Sequence, residues 1–159
     1  MILAPHFIVG AVLGEKIHPL ALGLISAFFS HYLLDSLPHL EYRILNIRQG
    51  KWRQSAFDFL KVFLDFSFGL LTVLLFSKNL LPSLLGGFIA IVPDGLCFLS
   101  FVFQKNKLLL QLRQFHHDKI HAPEIKTQPL PKGLKVTLRF WEITGQAIVI
   151  LLAIFFLRQ

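Results

Sequence analysis

The chain has 159 residues, 54% of them hydrophobic, with a mean hydropathy of +0.61. That is too apolar for an ordinary soluble domain, so one membrane domain covering residues 1–159 is expected. The net charge of +7 raises nucleic acid as a partner, but no nucleic-acid motif accompanies it and that class is excluded. Cys97 is the single cysteine, which rules out an intrachain disulfide.

In chain order, Ile2 to Leu13 is apolar except for His6. It falls short of the roughly 20 residues that cross a bilayer, and predicts a re-entrant or hairpin helix. MILAPHF also lacks the basic n-region of a signal peptide. Gly10 and Gly14 form a small-xxx-small pattern, which reads either as a close helix contact or as a coincidence of membrane composition. EKIHP is a turn, with His18 solvated. A first span over 19–37 follows, ended by Pro38. Residues 38–56 are polar and basic. The second span covers 57–76 and the short SKNLLP turn follows it. The third span, 81–103, is broken at Pro93, which Gly86 and Gly87 precede within it. Residues 104–137 form a long basic loop, with a helical stretch around 106–121 and a proline-rich tail from Pro123 to Pro131. The fourth span is 138–157. The predicted fold is all-α: a polytopic integral membrane helical bundle of four spans plus the short N-terminal helix.

The charges orient it. Arg43, Arg48, Lys51 and Arg53 lie in loop 38–56, and Lys105, Lys107, Arg113, Lys119, Lys126, Lys132 and Lys135 lie in loop 104–137. The remaining interspan turn holds only Lys78. By the positive-inside rule both basic loops are cytoplasmic and Gln159 is extracytoplasmic. At the rise of an α-helix, Asp35 lies about 3 Å from the cytoplasmic end of its span, His31 about 9 Å, Asp65 about 13 Å and Asp94 about 14 Å. All four fall in one leaflet, which points to a shared cavity open to the cytoplasm.

The motif SHYLLDSLPH sets His31, Asp35 and His39 four residues apart, so His31 and Asp35 share a helix face, while Pro38 loosens the hold on His39. Ionisable groups in a span are costly and point to function. HHDKIH offers a second pair, His117 and His121; its neighbour His116 faces elsewhere on a helix and is expected to be solvated or behind the ligands. Imidazole and carboxylate are ligands of Zn²⁺, Mn²⁺ or Fe²⁺, and a metal offsets the desolvation of buried acids. Blander readings stand beside this one. His31 could hydrogen-bond a neighbouring helix, Asp65 could simply pair with Lys61, His6 could face headgroups, and Asp58 is expected to be solvated.

PHFIVGAVLG, SHYLLDSLPH, VPDGL and the downstream histidine pair resemble the YdjM-like family of membrane-bound, metal-dependent hydrolases, and more distantly the helical zinc-dependent phospholipase C proteins. The resemblance implies a small all-helical membrane hydrolase of the bacterial cytoplasmic (inner) membrane. By position it implicates His6, His31, Asp35, Asp94, His117 and His121 as metal ligands.

The expected function is therefore metal-dependent hydrolysis at the cytoplasmic face, with zinc as the first candidate ion. His39 and Asp65 are candidate catalytic groups. Membrane lipids are the expected partners, and an anionic lipid headgroup or other phosphoester the expected substrate. The alternatives are a non-catalytic membrane scaffold docking a partner through loop 104–137, and an ion or proton transporter using Asp65, Asp94 and Pro93.

Overall fold

The computed structural model describes residues 2–37, 39, 42–116, 120 and 132–159, with the main chain alone for 132–136 and 138. Among the described residues the protein is helical, with no strand. Its elements are α1 (Leu3–Lys16), α2 (Leu20–Asp35), the single-turn α3 (Leu45–Arg48), α4 (Ala56–Phe76), α5 (Leu80–Val102), α6 (Lys107–Phe115) and α7 (Lys132–Arg158).

Three of these are long and apolar enough to cross a membrane: α4, α5 and residues 139–158 of α7. The predicted first span is not a fourth. α2 has 16 residues, a rise of about 24 Å against a hydrocarbon core of about 30 Å. It stops at Asp35 because Leu37 precedes Pro38, and a residue before proline avoids the helical region. Nor does Pro93 break α5, which stays helical through it. The ring removes one main-chain hydrogen bond, and neighbouring packing holds the helix across the gap.

The helices are arranged inside-out relative to a soluble bundle. Leu22, Phe29, Leu33, Phe63, Leu75, Leu151 and Phe155 are exposed, while Ser83, Ser100, His6, His31, Asp35 and Glu15 are buried. Large apolar side chains outside and small or polar ones inside suit a chain whose solvent is lipid.

The short α1 is the centre of the bundle and packs against α2, α4, α5 and α7. The Gly10/Gly14 pattern is what permits this. A methyl group on Gly10 would collide with Ala90 and the Gly86 carbonyl, and one on Gly14 would collide with the Pro82 carbonyl. Phe7, Ile8 and Ala11 then form the core with Val73, Ala153 and Leu157. These contacts set the helix directions. Gly23 of α2 lies against Leu13 and Ile17, and Gly69 of α4 against Ala4. α2 and α5 therefore run antiparallel to α1 and α4 runs parallel to it, which gathers His6, Asp35, Asp65 and Asp94 at one end. At the other end Lys78 bonds the main-chain oxygen of Gln159.

Candidate metal centre

α2 brings His31 and Asp35 to one face at i, i+4, and both side chains are fully buried. His31 Nε2 lies 3.1 Å from Asp35 Oδ2, yet it has no aligned hydrogen-bond partner. α5 delivers Asp94, with Oδ1 3.7 Å from His31 Nε2. The fourth member is His116, whose Nε2 is 3.1 Å from Asp35 Oδ2 and 3.9 Å from Asp94 Oδ1. One donor atom from each of His31, Asp35, Asp94 and His116 lies within 4.8 Å of every other.

Two further histidines stand behind the carboxylate. His6 Nε2 donates to Asp35 Oδ1 at 3.1 Å, and its ring stacks on His31 with centroids 4.1 Å apart. His39 donates Nδ1–H to the Leu37 carbonyl at 2.6 Å. Its Nε2 lies 4.0 Å from Asp35 Oδ1. His39 thus stays beside Asp35 although the helix ends before it.

Of the residues singled out from sequence, His31, Asp35 and Asp94 meet, and His6 and His39 touch Asp35 from its other oxygen. His117 and His121 lie outside the described residues. His116 is not solvated as expected: it is 5% exposed and joins the cluster. A readable signal favoured it. Leu109, Leu112 and His116 recur at i, i+3 and i+7, and these positions of α6 are the less exposed ones, while Gln111 and Gln114 are exposed. The helix phase is fixed at its start, where the Asn106 side chain accepts from the Leu108 and Leu109 N–H groups.

Asp65 is engaged elsewhere. Ile2 provides no side-chain cap for α1, and the Asp65 carboxylate accepts from the first-turn N–H groups of Leu3 and Ala4 and from the Tyr42 hydroxyl. It is a cap supplied from another helix. Neither pairing with Lys61 nor a catalytic position at the cluster matches this arrangement. Lys61 bonds the Arg43 carbonyl and Asp58 instead. Asp58 is not solvated either: it is 3% exposed and accepts from the N–H groups of Asn46 and Ile47 in α3.

Chemically, the cluster pairs two carboxylates with two imidazoles. Among the described residues no lysine or arginine forms an ion pair with Asp94. Four N and O donors at about 2.0–2.1 Å from a tetrahedral Zn²⁺ would stand about 3.3–3.4 Å apart. The separations of 3.1, 3.1, 3.7 and 3.9 Å straddle that value, so the residues present fit a divalent cation. His6, hydrogen-bonded to the far oxygen of Asp35, stands where the outer partner of a ligand carboxylate belongs. No protein-family model, curated protein or solved structure matches the chain.

Proposed function

We propose that the chain is a membrane-embedded, metal-dependent hydrolase working at the cytoplasmic end of its bundle, in a bacterial inner membrane. The observation that carries this reading is the convergence of His31, Asp35, Asp94 and His116 from three separate stretches of chain into one buried set of N and O donors. The resemblance of the sequence motifs to YdjM-like hydrolases and the cytoplasmic placement of the basic loops support it. Zinc fits the two-imidazole, two-carboxylate set best, with Mn²⁺ or Fe²⁺ next.

His31, Asp35, Asp94 and His116 would hold the ion. Such an ion would supply Lewis acidity toward a phosphoryl or carbonyl oxygen and would acidify water at neutral pH. The remaining work falls to the chain. His6 fixes the direction of the Asp35 carboxylate and leaves its other oxygen facing His31 and His116. His39 lies at the edge of the cluster, with Nε2 4.0 Å from Asp35 Oδ1, where it would serve as a proton shuttle. Asp94, 29% exposed at its side chain, is the member through which the site meets the outside.

Metal analysis of the detergent-purified full chain tests the reading against the scaffold alternative. The expected result is about one Zn or Mn per chain, and loss of metal in the His31→Ala, Asp35→Ala double variant. Absence of metal from both proteins, or undiminished ester or phosphoester hydrolysis by an inserted Asp35→Ala variant, overturns it.

A further inference from the structure

Beside the cluster, and extending beyond its donors, a cavity of about 730 Å³ lies between α4 and α5. This is within the usual range for a pocket that encloses a small organic molecule. Its walls are mainly apolar, with Val62 and Phe59 on one side and Ile91 and Phe98 on the other. Two guanidinium groups, Arg48 and Arg113, are set into this lining. Asp94 and His116 belong to it as well, so the cavity and the candidate metal centre share a wall.

A cavity that only had to admit a soluble anion would not need apolar walls of this extent. One that only had to hold a hydrocarbon chain would not carry two arginines. Guanidinium matches phosphate oxygens in a bidentate fork and is more weakly hydrated than ammonium. Arg113 Cζ lies over the Phe101 ring, 5.0 Å from its centroid, which keeps the charge along the cavity wall. Among the described residues no carboxylate pairs with it.

We propose that this cavity binds a phosphate-bearing lipid, with an acyl chain between α4 and α5 and the phosphate on Arg48 and Arg113 next to Asp94 and His116. That the lipid is the substrate rests on the hydrolase reading; that it binds does not.

Gly95 gives a way to test the apolar part. It lines the cavity, and a Cβ added there meets nothing within 4 Å, so Gly95→Phe starts its ring from open space beside the cavity. Val62→Trp fills it from α4 and serves if the first variant does not fold. Native mass spectrometry of the purified full chain in neutral detergent would compare dioleoyl phosphatidic acid, dioleoylglycerol and glycerol 3-phosphate. Phosphatidic acid is expected to bind one per chain, at least ten-fold tighter than either of the others. Arg113→Gln should weaken it about ten-fold without changing dioleoylglycerol, and Gly95→Phe should weaken both lipids. Equal retention of dioleoylglycerol, equal retention of glycerol 3-phosphate, or indifference to both variants overturns the proposal. Repeating the titration with Asp35→Asn in chelator separates the two readings. Retained lipid without metal upholds the cavity while the hydrolase fails. Hydrolysis of a soluble phosphoester by a chain that retains no lipid upholds the hydrolase while the cavity proposal fails.

Discussion

α1 buries acidic groups near both of its ends, and the two ends treat them differently. At the C-terminal end Glu15 is 3% exposed and fully served. Its Oε2 accepts from the hydroxyls of Ser77 at 2.9 Å and Ser83 at 2.7 Å, and its Oε1 accepts from Lys16 at 2.8 Å. Every contact there is an O–H or N–H meeting an oxygen, and the knot ties the α4–α5 turn to α1. At the N-terminal end Asp35 and Asp94 are met by ring nitrogens, which can either donate a proton or offer a lone pair. His31 has both ring nitrogens buried without an aligned hydrogen bond. The Glu15 carboxylate is met by hydroxyl and ammonium protons, whereas Asp35 and Asp94 are met by imidazole nitrogens, each of which donates or accepts according to the tautomer.

The contrast is broken most severely by chelation. If the cluster holds an ion, removing it with a chelator lowers the melting temperature of the purified chain, because a ligand present at about 100 times its Kd contributes about 2.7 kcal/mol to stability. Asp35→Asn keeps the shape of the side chain but loses the charge shared by His31 and His116. It is expected to lose the metal and, with it, the response to chelator. A melting temperature indifferent to chelator in the native chain would reduce the His/Asp end to a second structural knot.

A smaller effect belongs to His6. It touches the oxygen of Asp35 turned away from the other donors, so it is expected to act by orientation. His6→Gln can still donate a hydrogen bond to Oδ1, but without the fixed reach of a stacked ring. Changes to such outer partners usually lower metal affinity or activity 10- to 100-fold. Titration of the metal-free protein with zinc should show a loss in that range. A loss as complete as that of Asp35→Asn would make His6 a ligand in its own right.

The parts legible in the sequence were those written in side-chain periodicity and depth. The boundaries of α4 and α5 follow from their apolar runs. Counting residues inward from the basic loops put Asp94 in the same leaflet as His31 and Asp35, but it put Asp65 there equally. Gly10 and Gly14 turned out to be a helix contact because three glycines and an alanine, from two helices, let the backbones close. What could not be read was main-chain demand. The N–H groups that recruit Asp65 belong to Leu3 and Ala4, and every residue but proline carries the same group. The place of His116, by contrast, was legible in the Leu109, Leu112 and His116 pattern of α6, whose phase Asn106 sets ten residues upstream. An i, i+4 pairing of histidines gave no warning of it.

The finest test lies at the served end. Glu15→Gln keeps one oxygen for Ser77 and Ser83 and replaces the oxygen facing Lys16 with an amide N–H₂. Lys16, 33% exposed at its side chain, can turn its ammonium to water, so the lost ion pair itself weighs little. What remains is the difference between hydrogen bonds to a charged and to a neutral acceptor. The expected destabilisation is about 1 kcal/mol, or roughly 2–4 °C in melting temperature for a chain of this size. Metal content and chelator response should stay at native levels, because nothing in the Glu15 knot touches the His/Asp cluster and the two ends stand about 13 Å apart along α1. A drop in metal occupancy in Glu15→Gln would mean that the two ends are coupled through the seat of α1 against α5, and that Glu15 helps to position the cluster.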